Sequence, residues 1–322
     1  MGLKYIDIKL SLILLPLALL FQRPFANEES RKIIEGFSVV TVVMCLAAIG
    51  ISLFQERQLL ANQELSALVG MHASYLSLYA SFAFFHFLKK IWSKEANILS
   101  YLFAIALLPC LVILSARMVI LSSVLVLVLW FVLFQFDWKK LAILATAILI
   151  LGAVGYQMDS VNQRFQEALS GEEVEFGNQL DSNGVTKTYG GKAIRIAIWK
   201  CAKDVVAENW MIGVGAGDVH KHLQESYKNR QFVLAWKYNN FNAHNLFLET
   251  IIAVGVLGVG LLLLLFYNLW SLSFRNRDLL QFAFFGLFLL FSMMESSLNV
   301  QRGLVFFVLV SCLFLNQTQE EA

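Results

Sequence analysis

The stretch ILSYLFAIALLPCLVILSARMVILSSVLVLVLWFVLFQF, residues 98–136, runs for 39 residues with a single charge, Arg117, near its middle. One helix of that length would be about twice as long as the roughly 30 Å hydrocarbon core of a bilayer is thick. Ser115-Ala116-Arg117 divides it, so the simplest reading is two membrane-crossing helices, 98–115 and 118–136, joined by a tight turn at Arg117. Comparable apolar blocks recur on both sides. Together they give nine expected spans, at about 8–22, 34–54, 68–88, 98–115, 118–136, 141–156, 244–270, 279–296 and 303–316.

The composition agrees. Of 322 residues, 58% are hydrophobic and 15% charged, with a mean hydropathy of +0.65. Soluble domains average about 45–50% and about 25%. A soluble two-domain enzyme, a disordered chain and a nucleic-acid-binding protein are thereby excluded. The expected fold is an all-α polytopic membrane protein, with helices in 1–156, a large helical loop in 157–243 and further helices in 244–322. Cys45, Cys110 and Cys312 sit inside apolar blocks as small hydrophobes. Only Cys201 lies in a polar region, so no disulfide framework is available there.

Short basic loops orient the spans. Arg23, Arg31 and Lys32, then Lys89, Lys90 and Lys94, then Lys139 and Lys140, then Arg275 and Arg277 occupy alternate loops. The positive-inside rule makes these cytoplasmic. Arg117, the segment 157–243 and Arg302 then face outward, as does the N-terminus. Arg23 and Pro24, after the first apolar run, speak against a cleaved signal peptide.

The outward segment 157–243 contains ten Lys and Arg, ten Asp and Glu, and no proline. A loop that long is seldom structureless unless it is functional or disordered. Ser170 to Gly191, rich in Gly, Ser, Asn and Glu, reads as flexible. Beyond Lys192, Ile194, Ile198, Cys201 and Val205 recur at helical spacing, with Lys200, Lys203, Asp204 and Glu208 on other faces. That pattern predicts an amphipathic helix on the membrane surface, ending at Gly213-Val214-Gly215-Ala216-Gly217. A second helix is expected around His220 to Arg230, followed by the aromatic stretch Trp236 to Phe241. The next span opens with Asn242-Ala243-His244-Asn245, where Asn242 is a reasonable N-cap and His244 falls in the first turn. A helix start favours anions nearby. A neutral imidazole beside an anion site describes a general base next to a phosphate.

Three motifs now stand in a fixed order around one large loop. They are Ser115-Ala116-Arg117 between two spans, then Arg195-Ile196-Ala197-Ile198-Trp199 followed by Ile212 to Gly217, then His244-Asn245 with Gly255-Val256-Leu257-Gly258 after nine intervening residues. Over about residues 95–315 this set resembles the O-antigen ligase and polymerase family of bacterial envelopes. The resemblance implies a GT-C-type fold in the bacterial inner membrane, with its active site facing the periplasm. It implies inverting transfer of a glycan from an undecaprenyl-diphosphate carrier to a lipid A-core sugar hydroxyl, or to another glycan acceptor, without cofactor or metal. A Wzy-type polymerase, whose acceptor is another lipid-linked repeat, is the nearest alternative. Family members usually carry ten to twelve spans with both termini cytoplasmic, so this chain reads as a short variant or a fragment. Met118-Val119 stands where the family often has small residues, and the first 95 residues carry no motif that aligns.

Carried onto this sequence, the resemblance implies His244 as the base and Arg195 and Arg117 as the clamp on the leaving diphosphate. Arginine suits that task because it stays charged and binds phosphate bidentately. Asn245, Arg302, Glu295, Gly213 and Gly215 are the implied substrate-cavity residues. Taken one by one, plainer readings stay open. Arg117 suits a snorkelling anchor, Arg195 a headgroup contact and His244 a capped structural histidine. Glu295 and Arg302 suit a pair across a turn, and the glycine run suits close backbone packing. Glu249 lies about 140° round a helix from His244, too far for contact. His220 and His222 lack a third metal ligand at sensible spacing, and His72 and His86 read as structural. A lipid-linked glycan transporter is the reading from another class, but no internal duplication supports it.

Overall fold

The computed structural model describes residues 27–55, 59–114, 116–135, 171–180 and 186–319, with single residues at 10, 14, 16, 17, 146, 156 and 166. Those single residues aside, the spans expected at 8–22 and 141–156 lie outside the described residues, as does Ser115. Among the described residues the chain is helical, with one isolated bridge between Leu180 and Thr186 and no strand. In chain order the helices are α1 (Asn27–Gln55), α2 (Asn62–Ala67), α3 (Ala73–Trp92), α4 (Ile98–Leu114) and α5 (Arg117–Phe134). Then come α6 (Gly191–Asn209), α7 (Val219–Asn229), α8 (Leu246–Asn276), α9 (Leu279–Ser292) and α10 (Gln301–Gln319). Three of them, α1, α5 and α8, are long and apolar enough to cross a membrane. The helices α4 and α9, and residues 301–316 of α10, are shorter apolar helices. The 39-residue apolar block is broken where the single charge stands, between Leu114 and Arg117.

The chain forms two compact units, one of residues 1–14, 163–267 and 292–305, the other of 15–162, 268–291 and 306–322. The second holds most of the apolar helices. Lipid tails are as apolar as leucine, so helices meet there through small residues and hydroxyls that allow close approach. Ala48 of α1 and Ala80 and Ala83 of α3 are fully buried in one cluster. The Ser123 hydroxyl of α5 lies 3.1 Å from that of Ser81 on α3. Aromatic rings fill the remaining space: Phe306 stands 4.6 Å from Tyr79 and 5.2 Å from Phe37, centroid to centroid. Charges collect at helix ends, where Lys90 Nζ meets Glu35 Oε1 at 2.6 Å and Lys89 pairs with Asp278.

The first unit is built on the insert. Its core joins Ala197, Ile198, Cys201 and Val205 of α6 to Val219, Leu223 and Tyr227 of α7, together with Phe232, Leu234 and Ile252. The apolar face of α6, expected on a membrane surface, is covered instead by protein. Small residues at 193, 197 and 201 share that face and let α7 come close. The Ser226 hydroxyl donates to the Cys201 carbonyl at 2.9 Å, and Arg230 grips Asp204 through Nε and Nη2. That guanidinium holds the Asp204 carboxyl below its usual range. Burial pushes the Cys201 thiol up to about 12. Native protein should therefore leave Cys201 unmodified by maleimide at neutral pH, and SDS should expose it; modification of the native thiol would contradict the α6–α7 contact.

The stretch expected to be flexible is partly tied down. Gln179 is 1% exposed; its amide donates to the Gln231 carbonyl at 3.1 Å and accepts from Leu234 N–H at 3.1 Å. Gly177 N–H donates to the same Gln231 carbonyl at 3.0 Å. A single buried amide, fully bonded, orders a segment whose composition is otherwise that of a loop.

Candidate active site

Arg195 and Trp199 stand four residues apart on α6, which puts them on one face. From there Arg195 Nη2 donates to Glu295 Oε1 at 2.9 Å, and Trp199 Nε1 donates to the Ala243 carbonyl at 3.1 Å. The other carboxylate oxygen of Glu295 lies 3.3 Å from His244 Nδ1. Glu295 is 9% exposed, so one shielded carboxylate joins the guanidinium and the imidazole. With Nδ1 donating to that carboxylate, Nε2 is the nitrogen that carries the lone pair.

The loop holding His244 is shaped by its two asparagines. Asn242 does not cap the helix. Its side-chain oxygen accepts the His244 N–H at 3.0 Å, closing a local turn that leaves His244 at φ +44°. Asparagine and histidine tolerate such left-handed neighbourhoods better than bulky residues do. The cap falls to Asn245, whose Oδ1 accepts Leu248 N–H at 3.0 Å. His244 thus precedes α8 and is not in its first turn. Tyr227 anchors the same loop, its hydroxyl donating to the Phe241 carbonyl at 3.3 Å.

Glu295 is presented by a second loop fastened to the start of α8. Asn245 Nδ2 donates to the Met293 carbonyl at 2.9 Å, and the Ser296 hydroxyl donates to buried Glu249. The Ser292 and Ser297 hydroxyls meet at 2.7 Å. Asn245 therefore caps α8 with one end of its amide and holds the Glu295 loop with the other. Glu249, one turn further along, is given a partner away from His244. Glu249 and Tyr227 are framework residues that motif reading does not reveal, and Asn245 and Trp199, which lie inside the motifs, make framework contacts too.

The glycine run serves a backbone approach. Gly255 interrupts α8 at φ +70° and ψ −166°. A regular helix would bond Val256 N–H to the Ile252 carbonyl. Here Val256 N–H donates to the Trp210 carbonyl at 2.9 Å, while the Ile252 and Ala253 carbonyls accept from Val214 and Gly215 at 2.8 and 3.0 Å. The loop repairs what the kink breaks. A Cβ on Gly255 would sit 2.1 Å from the Met211 carbonyl oxygen, and one on Gly213 would sit 2.5 Å from the Ala253 carbonyl carbon. Glycine is required at both places.

Arg117 opens α5 in the other unit, half-buried, and Arg302 stands near the start of α10. On α7, His222 Nδ1 lies 4.0 Å from Glu225. Among the described residues, no group of three or more His, Cys, Asp or Glu is placed to hold a metal ion.

A family model described as O-antigen ligase matches residues 101–263, half of the chain. Arg117, Arg195, the glycine run, His244, Asn245 and Gly255 lie within the match; Glu295 and Arg302 lie beyond it. No curated protein matches the chain.

Proposed function

The chain belongs to the O-antigen ligase family, and from that premise we propose that it transfers a glycan from undecaprenyl diphosphate to a lipid A-core sugar hydroxyl at the periplasmic face of the bacterial inner membrane. The Glu295 carboxylate held between Arg195 and His244 is the observation that carries the reading. The acceptor oxygen attacks the anomeric carbon as the bond to the diphosphate breaks, and its proton passes to His244 Nε2. Attack opposite the leaving group inverts the anomeric centre. As the imidazole gains charge, the Glu295 carboxylate compensates it. Arg195 uses one nitrogen on Glu295 and keeps Nη1 for a phosphate oxygen. The family resemblance adds Arg117 to the phosphate-binding groups, and arginines supply the stabilisation that a divalent ion supplies elsewhere. Asn245 and the glycine run hold the frame, and Arg302 belongs to the substrate cavity. The GT-C-type arrangement of nine spans forms part of this proposal.

The test is transfer by purified protein in EDTA, given a polyprenyl-diphosphate-linked glycan and lipid A-core. Core-linked product is the expected result. Lengthening of the lipid-linked glycan, with no core-linked product, would replace the ligase reading with a polymerase. If neither product forms from a donor that the protein binds, glycan transfer itself falls.

A further inference from the structure

The contact at Gly255 has a depth. Along α8, Tyr267, 68% exposed, suits the aromatic belt at one membrane boundary. Counting back about 20 residues, the length of a span, puts the other boundary near residue 247. Gly255 then lies about 12 Å inside the hydrocarbon at 1.5 Å per residue. The segment bonded to it there comes from the loop after α6, and it is apolar. Trp210, Met211 and Ile212 are 50%, 59% and 83% exposed, and Leu257 of α8 is 76% exposed.

We propose that Trp210, Met211 and Ile212 form a re-entrant tip that inserts into the acyl-chain region of the bilayer beside Val254 and Leu257. Two independent features fit a lipid occupant. Irregular backbone survives at membrane depth only where its polar groups are satisfied. Here the Trp210 carbonyl, the Val214 and Gly215 N–H groups and the kinked stretch of α8 satisfy one another, and Gly213 N–H returns to the Asn209 carbonyl at 2.8 Å. The side chains that point away from that paired backbone are those a hydrocarbon solvent favours, and they continue the exposed apolar surface of α8. In water the same three residues would be an unprotected apolar patch. The tip anchors the far end of α6 in the membrane, and the inference does not depend on which reaction the protein catalyses.

The experiment uses the full chain in proteoliposomes. With Cys312→Ser, Ile212→Cys carries a nitroxide, and Lys221→Cys on α7 is the comparison site. At position 212, collisions with dissolved oxygen should exceed those with a water-soluble nickel chelate, and the order should reverse at 221. Nickel access at 212 equal to that at 221 overturns the proposal. Should the labelled variant not fold, lipids brominated on their acyl chains decide the matter: they should quench wild-type fluorescence more than that of Trp210→Phe, and equal quenching overturns it.

Discussion

His244→Ala should lose about 10²–10⁴-fold in kcat for glycan transfer while still binding the lipid-linked donor, because a positioned general base contributes about that much. The donor-binding groups of the proposal are the arginines, so a loss confined to kcat is the signature of a missing base. Glu295→Gln should fall between this variant and wild type. Its amide oxygen still accepts from His244 Nδ1, so the imidazole keeps its orientation across the 3.3 Å contact. What it no longer supplies is negative charge to offset the imidazolium. A hydrogen bond to a charged group is worth about 1.5–3 kcal/mol net, which corresponds to a loss of about 10- to 100-fold. The same substitution frees Arg195 of its carboxylate partner, so donor binding should hold or tighten. Rates and donor affinities, measured across pH for all three proteins, test the assignment. Equal rates in wild type and His244→Ala would sink the base, and a Glu295→Gln enzyme with wild-type rate would remove the charge-compensating role from Glu295.

How far such a site is legible in sequence depends on the range of the signal. Arg195 and Trp199 are four residues apart, and any helix puts them on one face. The break before Arg117 follows from one charge inside 39 apolar residues. Glu295 is visible as a charge near a span end. Its two partners, however, are 100 and 51 residues away, separations that no local period encodes. The cap of α8 shows how near neighbours compete. Asn242 and Asn245 both suit the position, and the choice is made by the His244 N–H, which takes the Asn242 side chain for a turn. Periodicity likewise announces a buried face on α6 without saying what buries it; Ala197, Cys201 and their neighbours meet α7 and the core of the insert. Gln179 is hidden by its company, since a polar segment gives no hint that one amide in it is fully enclosed.

Gly255→Ala should destabilise the protein by about 3–5 kcal/mol, whereas Gly260→Ala on the same helix should be neutral or stabilising by up to about 1 kcal/mol. The two glycines are five residues apart in one apolar helix, so residue type and surroundings by composition are alike. Geometry separates them. Gly255 has φ +70° and ψ −166°, a region essentially confined to glycine and costing about 1–3 kcal/mol for another residue. Its Cβ would also meet the Met211 carbonyl oxygen at 2.1 Å, and backbone on the far side cannot rotate away as a side chain could. Overpacking of that kind adds about 1–3 kcal/mol. Relief by straightening α8 would restore the Val256-to-Ile252 bond but strand the Trp210 carbonyl and the Val214 and Gly215 N–H groups. Gly260, by contrast, has nothing within 4 Å of the place a methyl would take, and alanine is favoured over glycine in a helix interior by about 0.8–1 kcal/mol. Thermal unfolding in detergent, followed by loss of the monodisperse peak, distinguishes the two. If Gly255→Ala melts with wild type, the docking of the glycine run on α8 is not what holds α6 in place. The positions of Arg195 and Trp199 would then rest on the α6–α7 core together with Glu295 and the Ala243 carbonyl.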